Sequence, residues 1–172
     1  KNFFKIMNIV LIGYRGTGKS TIGKVLAKKL NRLLISMDEL IVKKAGMSIP
    51  EIVEKHGWDN FRDLESEVVK EISNINSCII DCGGGVILRD ENVKNLKQNG
   101  KCFLLKADID TTISRIQGDA NRPALKEGMS FREEQEKVLK EREAKYKASA
   151  DVEIDTSVLS VDKAVEKILE NI

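Results

Sequence analysis

Eight consecutive residues, Gly13-Tyr14-Arg15-Gly16-Thr17-Gly18-Lys19-Ser20, fit the pattern G-x-x-x-x-G-K-[ST]. Glycines at these spacings let backbone N–H groups converge on phosphate oxygens without obstruction from side chains, and the helix that follows adds the partial positive charge of its start. Lys19 supplies a point charge for the β and γ phosphates, and Ser20 a hydroxyl for Mg²⁺. The nucleotide-binding set therefore comprises Gly13, Gly16, Thr17, Gly18, Lys19, Ser20 and Thr21. The chemistry is binding of a nucleoside triphosphate, with Mg²⁺ as cofactor.

Triphosphate binding serves switches, motors and kinases alike, so other residues must discriminate. Asp81-Cys82-Gly83-Gly84 fits a loose D-x-x-G, but no Asn-Lys-x-Asp or Thr-Lys-x-Asp occurs to select guanine, which argues against a GTPase switch. Gly83-Gly84-Gly85 follows an apolar run and permits close backbone approach to a ligand, although a structural turn explains it equally well. Asp38 can accept the hydrogen bond, and late in transfer the proton, of an acceptor hydroxyl; alone it also fits a helix cap. Arg62 and Glu65 stand three apart on a predicted helix, where the carboxylate can orient the guanidinium. Such a pair, like Arg142 in its charged neighbourhood, is ordinary surface in isolation. Two arginines converging on one pocket would instead clamp a carboxylate.

The elements that must position these groups follow from periodicity. Short apolar runs at Ile9 to Ile12, Leu33 to Ser36, Cys78 to Asp81, Cys102 to Lys106 and Val152 to Ile154 read as strands of a parallel sheet covered on both faces. Amphipathic stretches between them read as helices. The helix after the phosphate motif carries Ile22, Val25, Leu26 and Leu30 on one stripe, and the last carries Val161, Ala164, Val165, Ile168, Leu169 and Ile172. Ser48 with Glu51 and Ser130 with Glu133 have the spacing of capping boxes. Gln117 to Gly128 is polar, bounded by glycines and contains one of two prolines, so it reads as a mobile lid.

With 172 residues, 41% hydrophobic and 33% charged, the chain reads as one domain of residues 1–172 with a phosphate loop at 13–20, a substrate region at about 38–66 and a lid at about 117–128. A formal charge of +2 is too small for a surface that coats nucleic acid or a polybasic membrane anchor. No apolar stretch approaches the ~18 residues of a membrane-spanning helix. Cys78, Cys82 and Cys102 lack metal-ligand spacing and read as buried reduced thiols of a cytoplasmic protein. Lys1 to Ile6 precede Met7 and read as an added leader. His56, before Gly57, reads as a solvated helix-end residue and Trp58 as packing at a helix junction, near enough to Arg62 to report ligand binding by fluorescence.

Together these residues resemble shikimate kinase: the phosphate loop, an Asp after the second strand, Phe61-Arg62 with Glu65, the glycine triplet, Asn121-Arg122-Pro123, and Glu141-Arg142 before Tyr146, in the family's order from Asn8 to the final helix. The resemblance implies an α/β fold of the nucleotide-kinase type, with a five-stranded parallel sheet, helices on both faces and a lid. It implies a cytoplasmic, monomeric enzyme with ATP and shikimate as its partners. ATP would phosphorylate the 3-hydroxyl of shikimate. Asp38, Lys19 and Arg122 would be catalytic, Arg115 and Pro123 would flank the adenine, and Asp38, Arg62, Gly83, Gly84, Gly85 and Arg142 would hold shikimate. One departure stands out: the family commonly has Asp-x-Asp after the second strand, where this chain has Ser36-Met37-Asp38. Asp81 is expected to supply part of the missing carboxylate's role toward Mg²⁺ through water. The alternatives are a different small-metabolite kinase, such as one acting on gluconate, and a kinase-like module that binds without turnover.

Overall fold

The computed structural model describes residues 6–116 and 128–172. Residues 117–127 of the expected lid, with Arg122 and Pro123, and residues 1–5 of the expected leader lie outside the described residues.

Strand β1 (Asn8–Ile12) is buried at every position. Ile9 and Leu11 face one side of the sheet and Val10 and Ile12 the other, and each side meets its own apolar cluster. A strand covered on both faces has to read as a continuous apolar run. It pairs in parallel with β3 (Ile79–Asp81) on one side, Leu11 opposite Asp81, and with β4 (Gly100–Lys106) on the other. Outside these lie β2 (Leu34–Ser36) and β5 (Val152–Asp155), giving a five-stranded parallel sheet in the order β2-β3-β1-β4-β5. All five expected strands are present. The expected β4 starts two residues late, because Gly100 and Lys101 pair with Asn8 and Ile9 through backbone alone and leave no hydrophobic mark.

Helices α1 (Lys19–Leu30) and α7 (Val161–Leu169) cover the face of Ile9 and Leu11, with Ile22, Leu26, Ala164, Val165 and Ile168 buried. The expected stripe of α7 is too long: Val161 and Ile172 are exposed, and the helix ends at Leu169. The opposite face carries α2 (Met37–Ala45), α3 (Ile49–Ile72), α4 (Asp90–Lys97) and α6 (Phe131–Ser149); α5 (Ile109–Ile116) follows β4. Gly57, at φ 81° and ψ 170°, breaks α3 into two helical segments, and exposed His56 ends the first. Ser130 and Glu133 form the full reciprocal cap of α6. At α3 the Ser48 hydroxyl accepts from the Glu51 N–H and also donates to the Glu51 carboxylate, so Glu51 binds the hydroxyl itself. The three cysteines are buried and free, and burial raises the pKa of each thiol. Among the described residues no helix is long and apolar enough to cross a membrane.

Chain order reverses across the sheet beside β1, since β3 lies on one side of it and β4 on the other. In open α/β sheets ligands bind at such a switch point, outside the carboxyl ends of the strands. The phosphate loop leaves β1 there, and the glycine triplet leaves β3 next to it.

Candidate active site

The loop after β1 has a shape that few residues allow. Gly13 has φ 142°, and a Cβ there would collide with the Leu105 carbonyl oxygen; Gly16 and Gly18 also have positive φ. Side chains then brace it. The Thr17 hydroxyl donates to the Tyr14 carbonyl at 2.7 Å, and Lys19 Nζ donates to the carbonyls of Gly13 at 2.7 Å and Tyr14 at 3.0 Å. From the far side Arg115 donates to the carbonyls of Gly16 and Thr156, both at 3.0 Å, and the Thr156 hydroxyl donates to the Thr17 carbonyl. Around this loop lies a cavity of about 690 Å³ lined by Gly16, Thr17, Gly18, Lys19, Ser20, Thr21, Ser36, Asp38, Asp81 and Arg115, among others.

Ser20 Oγ donates to Asp81 Oδ2 at 2.6 Å inside that cavity. The register of β1 with β3 sets this up, because it places Asp81 at the strand end facing the start of α1. A hydroxyl and a carboxylate beside a phosphate cavity fit Mg²⁺, which keeps several waters and takes one or two carboxylates plus phosphate oxygens. Ser36 caps α2, accepting from the Glu39 N–H at 3.4 Å, so Asp38 stands in the first turn of the helix and not at its cap.

A second cleft adjoins the first. Asp38, Trp58, Phe61, Arg62, Glu65, the three glycines 83–85 and Arg142 line it, and Asp38 and Arg15 border both spaces. Here the glycine triplet is where four charged groups meet. A Cβ on Gly83 would stand 3.0 Å from Glu65 Oε2 and 3.3 Å from Asp38 Oδ1, and one on Gly84 3.7 Å from Arg142 Nη1. On Gly85 it would fall within the Arg62 guanidinium. The space in this cleft, about 50 Å³, is much smaller than the 690 Å³ around the phosphate loop.

The Arg62–Glu65 pair is far from a solvated face. The two lie 2.8 Å apart with side chains 13% and 1% exposed, and Glu65 Oε2 is buried without a hydrogen-bond partner among the described residues. Burial pushes the Glu65 carboxyl above its usual range, against the pull of Arg62. The Arg62 guanidinium lies 5.3 Å from the centre of the Trp58 ring and 5.1 Å from that of Phe61, which meet edge to face. Arg142 is 8% exposed, and the Tyr146 hydroxyl one turn on donates to the Gly84 carbonyl at 2.5 Å. Burial pushes the Tyr146 pKa up to about 12, so the phenol remains a donor.

Sequence reasoning gave several members of this assembly no role of their own. Arg89 holds the backbone of Arg62, and Arg15, Tyr146 and Thr156 brace loops from distant elements. No local signal marks them, since each acts on a carbonyl or side chain brought near only by folding.

A triphosphate loop at the switch point, opening into a cleft with a carboxylate at the junction and two arginines at the wall, defines a phosphate-loop kinase of the nucleotide-kinase type. The family model for shikimate kinase matches residues 15–172. The shikimate kinases of Thermodesulfovibrio yellowstonii and Caldicellulosiruptor bescii are 42% and 41% identical to this chain, over 95% and 94% of it and 93% of each relative. The solved structure of the Acinetobacter baumannii shikimate kinase in complex with shikimate superposes with a TM-score of 0.91 at 32% identity, covering 96% of this chain and 92% of that one. The chain belongs to the shikimate kinase family.

Proposed function

We propose that the chain transfers the γ-phosphoryl group of ATP to the 3-hydroxyl of shikimate in the cytoplasm, giving shikimate 3-phosphate and ADP on the route to chorismate and the aromatic amino acids. The observation that carries this reading is Asp38, which borders both the phosphate cavity and the cleft of Arg62 and Arg142. A hydroxyl bound in the cleft then lies between that carboxylate and the terminal phosphate.

Arg62 and Arg142 grip the carboxylate of shikimate, and the glycine triplet gives its ring close approach to the backbone. Asp38 accepts the hydrogen bond of the 3-hydroxyl and takes its proton as the oxygen bonds to the γ-phosphorus and the bond to the β–γ bridging oxygen breaks. Lys19 and the loop amides stabilise charge on the phosphates. Ser20 and, through water, Asp81 would hold Mg²⁺, which would supply positive charge to offset that of the phosphates. The family resemblance assigns Arg122 to the triphosphate and Pro123 to the adenine, both outside the described residues, and Arg115, which lines the phosphate cavity, to the adenine. The acidic acceptor accounts for two arginines in one cleft, which a kinase for a neutral sugar would leave without use.

The test is ADP release, coupled to NADH oxidation, with Mg·ATP and each of shikimate, quinate, gluconate and nucleoside monophosphates against a blank without acceptor. Release that depends on shikimate supports the reading. Release with gluconate alone, or ATP binding without any acceptor-dependent release, refutes it.

A further inference from the structure

Arg15 occupies a variable position of the phosphate motif, so the pattern itself asks nothing of it. Its side chain is nonetheless held from three directions. Nη2 donates to Glu134 Oε1 at 2.7 Å, Nε donates to Gln135 Oε1 at 3.2 Å, and the guanidinium lies 5.7 Å from the centre of the Phe131 ring. The ion pair is buried, with side chains 10% and 7% exposed, and Gln135 is fully buried. All three partners belong to the first turn and a half of α6.

The same helix carries Arg142. Glu134, Val138 and Arg142 are spaced four apart and so share one face, and at 1.5 Å per residue Arg142 lies about 12 Å along the axis from Glu134. Val138 between them is buried in the core. At its far end α6 is fastened by the Tyr146 hydroxyl on Gly84. The helix is thus pinned to the phosphate loop at one end and to the glycine triplet at the other, and Arg142 projects between the two pins. A slip of α6 along its axis moves the Arg142 guanidinium by the same distance, and errors of about 1 Å in a reacting geometry can cost ~10²-fold in rate.

We propose that Arg15 is a positioning residue: gripped by Glu134 and Gln135, it ties α6 to the phosphate loop and so sets where Arg142 stands in the acceptor cleft. The proposal rests on the reading of Arg142 as a holder of the acceptor's carboxylate. Arg15 borders the cleft itself, whereas Glu134 is not among the described residues that line the cleft or the phosphate cavity.

The experiment compares Arg15→Met, Glu134→Gln, their double variant and Arg142→Ala in the full chain. It measures kcat/KM for shikimate and for the analogue whose carboxylate is reduced to a primary alcohol, with thermal unfolding as the check on folding. The expected result is a fall of roughly tenfold for the acid in both single variants, carried mainly by KM, while the alcohol stays within about twofold. The double variant falls no further than the worse single one. Glu134→Gln keeps the size of the side chain, so it decides the matter even if Arg15→Met folds poorly. Wild-type kcat/KM for the acid in Glu134→Gln overturns the proposal, as do equal losses for acid and alcohol. If Arg142→Ala leaves the acid unaffected, the underlying reading of the cleft has failed, separately from the role of Arg15.

Discussion

Replacing Arg62 with alanine perturbs two things at once, and the structure separates them. Toward the acceptor, the guanidinium spends Nη1 on Glu65 and keeps its remaining donors for the cleft, beside Gly85. A charge-assisted bond to a carboxylate contributes about 1.5–3 kcal/mol, or roughly 10- to 150-fold. Arg62→Ala should therefore raise the KM for shikimate by roughly that factor while the KM for ATP, bound around a different loop, changes by less than about twofold. The coupled ADP assay reads both constants by varying each substrate at saturation of the other. The second effect is on stability. Glu65 is fully buried and Arg62 is its ion-pair partner, so removing one member costs on the order of 3–5 kcal/mol unless the carboxyl takes up a proton. Burial already raises its pKa and Arg62 opposes that rise, so the variant pushes it higher still. The folded state then binds the proton more tightly than the unfolded chain. Stability from this group is full below the unfolded carboxyl value of about 4.3 and is lost as pH climbs toward the raised folded one. The melting-temperature gap between Arg62→Ala and wild type should widen as pH rises above the ordinary carboxyl range, and adding Glu65→Gln should remove that widening. A shikimate KM within about twofold of wild type, a parallel rise in the ATP KM, or a gap independent of pH would refute the reasoning.

Three further outcomes follow from the same geometry. Gly85→Ala should raise the shikimate KM with little effect on ATP, because its Cβ displaces the Arg62 guanidinium; initial-rate kinetics check it, and an unaltered KM would show that Arg62 has room to spare. Lys19→Ala should lower kcat by roughly 10²- to 10³-fold through lost stabilisation of phosphate charge. It should also lower the melting temperature, since Nζ bridges the carbonyls of Gly13 and Tyr14; normal turnover would contradict the assignment of the loop. Asp81→Asn should shift the Mg²⁺ dependence of the rate to higher concentration, as the carboxylate that meets Ser20 loses its charge, and an unchanged Mg²⁺ titration would remove Asp81 from the metal's surroundings.

The sheet, the phosphate loop and the family were legible in the chain itself, because their signals are local. A run such as Ile9 to Ile12 is apolar throughout because both faces of its strand are covered, and glycines 13, 16 and 18 are required by backbone angles the loop adopts wherever it occurs. Capping chemistry at Ser130 and Glu133 lies within four residues and was equally readable. What folding alone decided is which charges are buried together. Arg62, Glu65 and Arg142 have the composition of a solvated surface, and only the approach of α3, α6 and the glycine triplet from three parts of the chain turns them into the wall of a cleft. The same holds for Ser20 with Asp81, 61 positions apart, and for Arg15 with Glu134, 119 apart. The charge on a residue is written in its type, but whether water or a partner answers that charge depends on burial, which is a property of the packed elements and not of any stretch of sequence.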